Sequence, residues 1–185
     1  MAREHARIWL SIWDNPDFTT LATAEQNMYF KICSSPDLSY CGVALLLPKR
    51  YSRLSADSTD RATAKHLQTL AARRFLVLDE ETAEMCVRTY IRYDGILKQP
   101  NVIRAMNKAF ERVQSEPIRN TILEEVGHAI DYTYPSGFLL DRHKAVVQAI
   151  AEGFAKGFVE GLPEPFFEVI AKANRKPSQE GSAEE

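Results

Sequence analysis

"TAKHLQTLAARRFLVLDEE", residues 63–81, is the stretch on which the fold turns. Thr63, Leu67, Leu70, Ala71 and Arg74 recur at helical spacing on one face, and the central three are core in character. The spacing predicts a helix over residues 60–73, with Asp60, Arg61, Ala64, Lys65, Gln68 and Thr69 facing outward and Ala72 and Arg73 at the edge of that face. Phe75, Leu76, Val77 and Leu78 then form a short strand-like run that ends in Asp79, Glu80 and Glu81. No glycine separates helix from strand. The joint is tight, and the neighbouring chain has to hold it.

Downstream, "MCVRTYIRY" (85–93) alternates Val87, Thr89 and Ile91 with Arg88, Tyr90 and Arg92. That is a strand with one packed face and one basic, aromatic face. "DEETAE" joins it to the first run as a hairpin. Upstream, Thr23 with Gln26 three residues later is a capping-box signature, opening a helix at about 24–34 that buries Met28, Phe30 and Ile32. "VALLL" (43–47) is a short buried strand or a lead-in to the next helix. Pro48 suits a first helical turn, so "PKRYSRLS" is a short helix, and Ser58 or Thr59 caps the next one. "ARIWLSIW" (6–13) reads as extended, followed by a loop.

Asp94-Gly95 ends this unit. Val102, Met106, Ala109, Phe110 and Val113, then Ile118, Ile122, Leu123, Val126 and Ile130, mark two helices that resemble a helical hairpin. A longer amphipathic helix over 139–160 and a short last one follow. The expected division is residues 1–98 as one domain, 99–173 as a helical extension and 174–185 as a disordered acidic tail. The fold class is mainly α with a small β-hairpin.

Composition narrows the function. Of the 185 residues 45% are hydrophobic and 26% charged, and the net charge is -2, so any basic footprint must be local. The three cysteines and four histidines sit in no metal-ligand spacing, so no metal is expected, and reduced core thiols suit a cytoplasmic protein. No run reaches the roughly 18–20 apolar residues that cross a bilayer, and the N-terminus has no signal-peptide pattern. Phosphate-loop, zincin, nucleophile-elbow and kinase signatures do not occur. Neither an enzyme nor a cofactor is expected. Glu124-Glu125 with His128 has helical metal-pair spacing but reads as a helix surface.

Helix, short strand, helix, helix and hairpin within residues 23–93 is the order of a winged helix-turn-helix domain, in which a protruding helix enters a major groove about 12 Å wide. From residue 43 to 74 there are Lys49, Arg50, Arg53, Arg61, Lys65, Arg73 and Arg74 against Asp57 and Asp60. That local excess suits phosphate binding. Arg61, Lys65 and Gln68 are the expected base-edge residues. Lys49, Arg50 and Arg53, with Arg73 and with Arg88 and Arg92 from the wing, are the expected phosphate contacts. The acids Asp79, Glu80, Glu81 and Glu84 at the wing tip would be repelled by a minor groove. The competing reading is a winged-helix module that binds a host or phage protein and no DNA.

"RIWLSIWDNPDFTTLATAEQNMYFKI", "RRFLVLDEETAEMCVRTYIRYDG" and "ILKQPNVIRAMNKAF" resemble small helix-turn-helix proteins of actinobacterial phages and prophages. Those are similar, over their winged-helix part, to the N-terminal domains of phage replication initiators (replisome organisers). The likeness covers about residues 6–125. It implies binding of double-stranded origin or operator DNA in the host bacterial cytoplasm, in replication initiation or transcription control. In the replication relatives it also implies recruitment of a helicase or its loader. The chain departs from them in lacking a recognisable second, helicase-loading domain. A homodimer presenting two recognition helices is expected from the surplus apolar stripes after residue 98, including Val146, Ile150, Phe154 and Phe158.

Overall fold

The computed structural model describes the backbone of residues 5–133 and the side chains of residues 5–129. The chain begins with a 3-10 turn (Leu10–Asp14), α1 (Pro16–Thr19) and α2 (Thr23–Cys33). It continues through β1 (Val43–Leu45), α3 (Pro48–Ser52), α4 (Asp60–Ala72), β2 (Leu76–Asp79) and β3 (Glu84–Val87). Then come α5 (Tyr90–Tyr93), a second 3-10 turn (Ile96–Lys98), α6 (Pro100–Phe110) and α7 (Glu116–Thr133). The protein is mainly helical, with one antiparallel sheet in the order β1-β3-β2. Val43 pairs with Cys86, and Leu76 with Val87.

Local chemistry accounts for most boundaries. Thr59 caps α4 by accepting the Ala62 N–H at 3.2 Å, and Pro48 fills the first turn of α3. At the start of α2 the cap lies one residue before the expected one. The Glu25 carboxylate accepts the Ala22 N–H at 2.7 Å, which is half of a capping box because alanine has no side-chain acceptor.

The end of α4 explains the joint without a glycine. Phe75 N–H bonds to the Leu70 carbonyl and Arg74 N–H to the Ala71 carbonyl, both at 2.9 Å, which is the paired closure of a Schellman motif. Its left-handed position is held by Arg74, at φ 62°. A non-glycine residue there costs about 1–2 kcal/mol of backbone strain.

Thr63, Leu67 and Leu70 of α4 are buried against α2, α3 and β2. An aromatic cluster of Trp13, Phe18, Tyr29, Phe30 and Phe75 closes the side toward the N-terminus, with the Phe18 ring centroid within 6 Å of those of all four others. All four residues of β3 are buried, as befits a central strand covered on both faces. Gly42, at φ 77°, lets β1 approach this layer; a Cβ there would lie 2.8 Å from that of Tyr90.

Three expectations are corrected. Residues 10–14 form a 3-10 turn in the segment read as extended. The second hairpin strand stops at Val87: Tyr90 and Ile91, read as opposite faces of a strand, are both buried in the single helical turn α5, which packs on α7. The anticipated helical hairpin also takes another form. Arg119 ties α7 to the end of α6 through the Phe110 and Val113 carbonyls, but α7 packs chiefly on α5 and β2. Ile103, Met106, Phe110, Ile118, Ile122 and Val126 belong to the same core as Leu70 and Met85, so burial runs without a gap across residue 98. Among the described residues, most of the α6 and α7 stripes that motivated self-association are thus covered by the chain itself, with Val102, Ala109 and Leu123 partly buried. The stripe at 146–158, the longer helix and the acidic tail lie outside the described residues.

Glu84 is the fastener between sheet and α7. It is buried, and its carboxylate accepts the backbone N–H groups of Gln114 at 3.0 Å and Ser115 at 2.7 Å. Ser115 then caps α7 by accepting the Ile118 N–H at 3.2 Å.

Candidate nucleic-acid interface

On α4 the buried stripe fixes what faces out. Successive residues turn by about 100°, so Arg61, Lys65, Gln68 and Ala72 point away from Thr63, Leu67 and Leu70. All four are exposed. His66 lies on the flank, where its Nδ1 is 3.5 Å from Glu25. α3 crosses close to the start of α4, tied by the Ser52 hydroxyl donating to Asp60. It brings exposed Lys49, Arg50 and Arg53 to that end. Arg50 is paired with Asp37, two half-exposed groups whose pairing is worth about 0–1 kcal/mol. Lys49, Arg53, Arg61, Lys65 and Gln68 are thus exposed on two helices, α3 with its C-terminal cap and α4, that pack on each other.

The other expected contacts lie elsewhere. Arg73 turns back to the Asp17 carbonyl at 3.1 Å and to the Thr20 hydroxyl. Arg88 donates to the Arg74 carbonyl at 3.0 Å. Arg92 sits on α5, not on a strand, and donates to the buried Glu125 at 2.8 Å. Glu125 is 3% exposed, so it is a core ion-pair partner and not the helix surface that its spacing suggested. Arg92 is thus one half of a largely buried pair on α5 and does not lie on the hairpin.

The hairpin tip is corrected as well. Of its four acids, only Glu80 and Glu81 are exposed. Glu84 is engaged with the start of α7, and Asp79 accepts the N–H groups of Glu81 and Thr82. The Ser115 hydroxyl and those two N–H groups hold the Asp79 carboxyl below the usual carboxylate range. The tip is packed down and acidic.

Arg73, Arg88 and Arg92 converge with Arg7 and Arg74 on a cleft of about 300 Å3 between the N-terminal segment, the end of α4 and α5. Sequence reading placed Arg74 on the apolar face and did not single out Arg7. The missing glycine at the helix end was the available signal for Arg74, because some residue had to take the left-handed position. Arg7 reaches the cleft by a contact 87 residues along the chain, for which no local pattern exists.

Cys33, Cys41 and Cys86 are buried free thiols, and burial raises the Cys41 and Cys86 thiols above their ordinary range. Among the described residues no group of three His, Cys, Asp or Glu side chains could hold a metal ion, and no helix is long and apolar enough to cross a membrane. No protein-family model matches this sequence, and no curated protein or solved structure does either.

Proposed function

We propose that the chain is a winged-helix DNA-binding protein of phage or prophage type that presents α4 to the major groove. The observation carrying this reading is the outward face of α4. Arg61, Lys65 and Gln68 are all exposed, opposite a stripe that is at most 1% exposed, and α3, which packs on α4, ends in exposed Arg53 and carries exposed Lys49. A face of that kind offers two cations for phosphates or guanine edges and an amide suited to adenine. Its surroundings support it: the order α2, β1, α3, α4, β2, β3 is that of a winged helix. The hairpin takes no part in this reading, since its tip is acidic. Replication initiation and transcription control are the two roles that the phage resemblance brings with it.

A second reading has its own support. Leu45, Leu47 and Leu54 flank α3 and are 44–58% exposed, which suits a protein partner on the same side.

One titration separates them. The full chain is bound to random and phage-derived duplexes over a range of salt concentrations, alongside the double variant Arg61→Ala/Lys65→Ala. DNA binding through α4 requires a strong loss of affinity in the double variant. It also requires a log–log salt slope flatter by about 0.9 for each phosphate that is no longer neutralised. Unchanged affinity with a native circular-dichroism spectrum rejects the α4 reading.

A further inference from the structure

The cleft at the far end of α4 has an electrostatic imbalance that the α4 face does not explain. Five arginines line it, and Asp17 is the one acid among the lining residues. Glu125 compensates Arg92 from behind. The remaining guanidinium groups are held by neutral oxygens or by none. Arg73 bonds to the Asp17 carbonyl and the Thr20 hydroxyl, Arg88 to the Arg74 carbonyl, and Arg7 to the Asp94 carbonyl at 3.3 Å. Among the described residues the Arg74 side chain has no hydrogen-bond or ion-pair partner. Gathering like charges at a partly desolvated surface is unfavourable unless an anion completes it. Phosphate, with several oxygens to share among more than one guanidinium, is an anion that such forks fit through paired N–H donors.

Two further observations define the ligand. The cleft, at about 300 Å3, is far larger than a bare phosphate and at the lower end of small-molecule sites. Its walls include Trp9 and Tyr93, rings that are 42% and 38% exposed, and Trp9 is fixed by its indole N–H donating to the Tyr93 carbonyl. Flat aromatic surface beside a cluster of arginines suits a nucleobase joined to a phosphate. Arg74 also occupies a left-handed backbone position that glycine would fill without strain. Strain retained at a charged residue lining a cleft points to a use for its side chain.

We propose that this cleft binds a nucleotide through its phosphate, with Arg7, Arg74 and Arg88 taking the phosphate and Trp9 and Tyr93 receiving the base. The ligand is a free mononucleotide or the terminal nucleotide of a single strand, since the chemistry is shared. The site is separate from the outward face of α4 and does not depend on duplex binding there.

The test uses Trp9 as reporter. The full chain carrying Trp13→Phe retains one tryptophan, and its fluorescence is titrated with thymidine monophosphate, thymidine, inorganic phosphate and a 5′-phosphorylated oligothymidylate. Saturable quenching by the monophosphate, competed by inorganic phosphate and absent with thymidine, is expected. An oligonucleotide that binds more tightly than the monophosphate makes the strand end the source, and equal binding makes it the free nucleotide. Arg74→Gly removes a guanidinium where glycine suits the backbone, so the fold is retained while affinity falls about tenfold or more. Arg7→Ala, at an exposed position, lowers affinity in the same direction. Arg61→Ala/Lys65→Ala leaves nucleotide binding unchanged, which keeps this outcome distinct from the duplex experiment. No saturable binding at millimolar concentrations, equal binding of thymidine, or unchanged affinity in Arg74→Gly overturns the proposal.

Discussion

Arg92→Ala is the perturbation that separates a surface arginine from a structural one. In the folded chain Arg92 is 23% exposed and bonded at 2.8 Å to Glu125, which is 3% exposed. Truncating Arg92 leaves a carboxylate almost without water and without its cation. Breaking a buried pair from one side costs about 3–5 kcal/mol, because the stranded charge remains. Truncating Glu125 strands the guanidinium, which keeps some water, so Glu125→Ala falls at or below the lower end of that range. Glu125→Gln preserves shape and an acceptor oxygen, and costs less than Glu125→Ala. Urea unfolding followed by circular dichroism reads this directly: at a slope of about 1–3 kcal/mol per molar, Arg92→Ala lowers the midpoint by more than 1 M. The double Ala variant should be less destabilised than the two singles added together, with a coupling of about 0.5–3 kcal/mol. A loss under 0.5 kcal/mol for Arg92→Ala refutes the buried pair and returns Arg92 to the solvated surface.

Leu70→Ala removes a fully buried side chain of α4 and should cost about 2–5 kcal/mol, whereas Gln68→Ala, exposed on the opposite face, should stay within about 0.5 kcal/mol. Equal losses in thermal or urea unfolding refute the helical phase of α4. Because the Asp79 carboxyl is depressed in the folded state, its contribution is fully present above the ordinary aspartate range near 3.8 and is lost as pH falls through the lower folded value. Asp79→Asn should therefore be less stable than the parent at neutral pH and should converge with it in acid. A gap that persists unchanged at pH 2 contradicts this.

Local signals in the sequence were enough for α4, the proline-led α3, the Thr59 cap and the direct helix-to-strand joint, since each depends on residues within one or two turns. The alternation from Val87 to Ile91 misled because it is equally compatible with a chain that turns. Tyr90 and Ile91 both bury against α7, and that helix is supplied from more than twenty residues away. Likewise the basic pattern of Arg88 and Arg92 gave no sign that Glu125, 33 residues beyond Arg92, would claim one of them. The exposed cations of α3 and α4 were legible as a solvated face. The arginine cleft was not, because its walls come from residues 7–17, α2, the end of α4 and residues 88–93.

Glu84 has a consequence for how the chain can be cut and how it folds. Its carboxylate lies on the central strand but closes the backbone at the start of α7. Without α7, a fragment ending near residue 98 would carry a buried anion with its donors removed and a sheet stripped of its cover. Sheet and helix therefore open together: amide exchange in β3 and in the first turn of α7 should report one shared opening event. Because Gln114 and Ser115 lie in the connection between α6 and α7, an insertion just before Glu116 would separate the Glu84 contact from the helix it fastens.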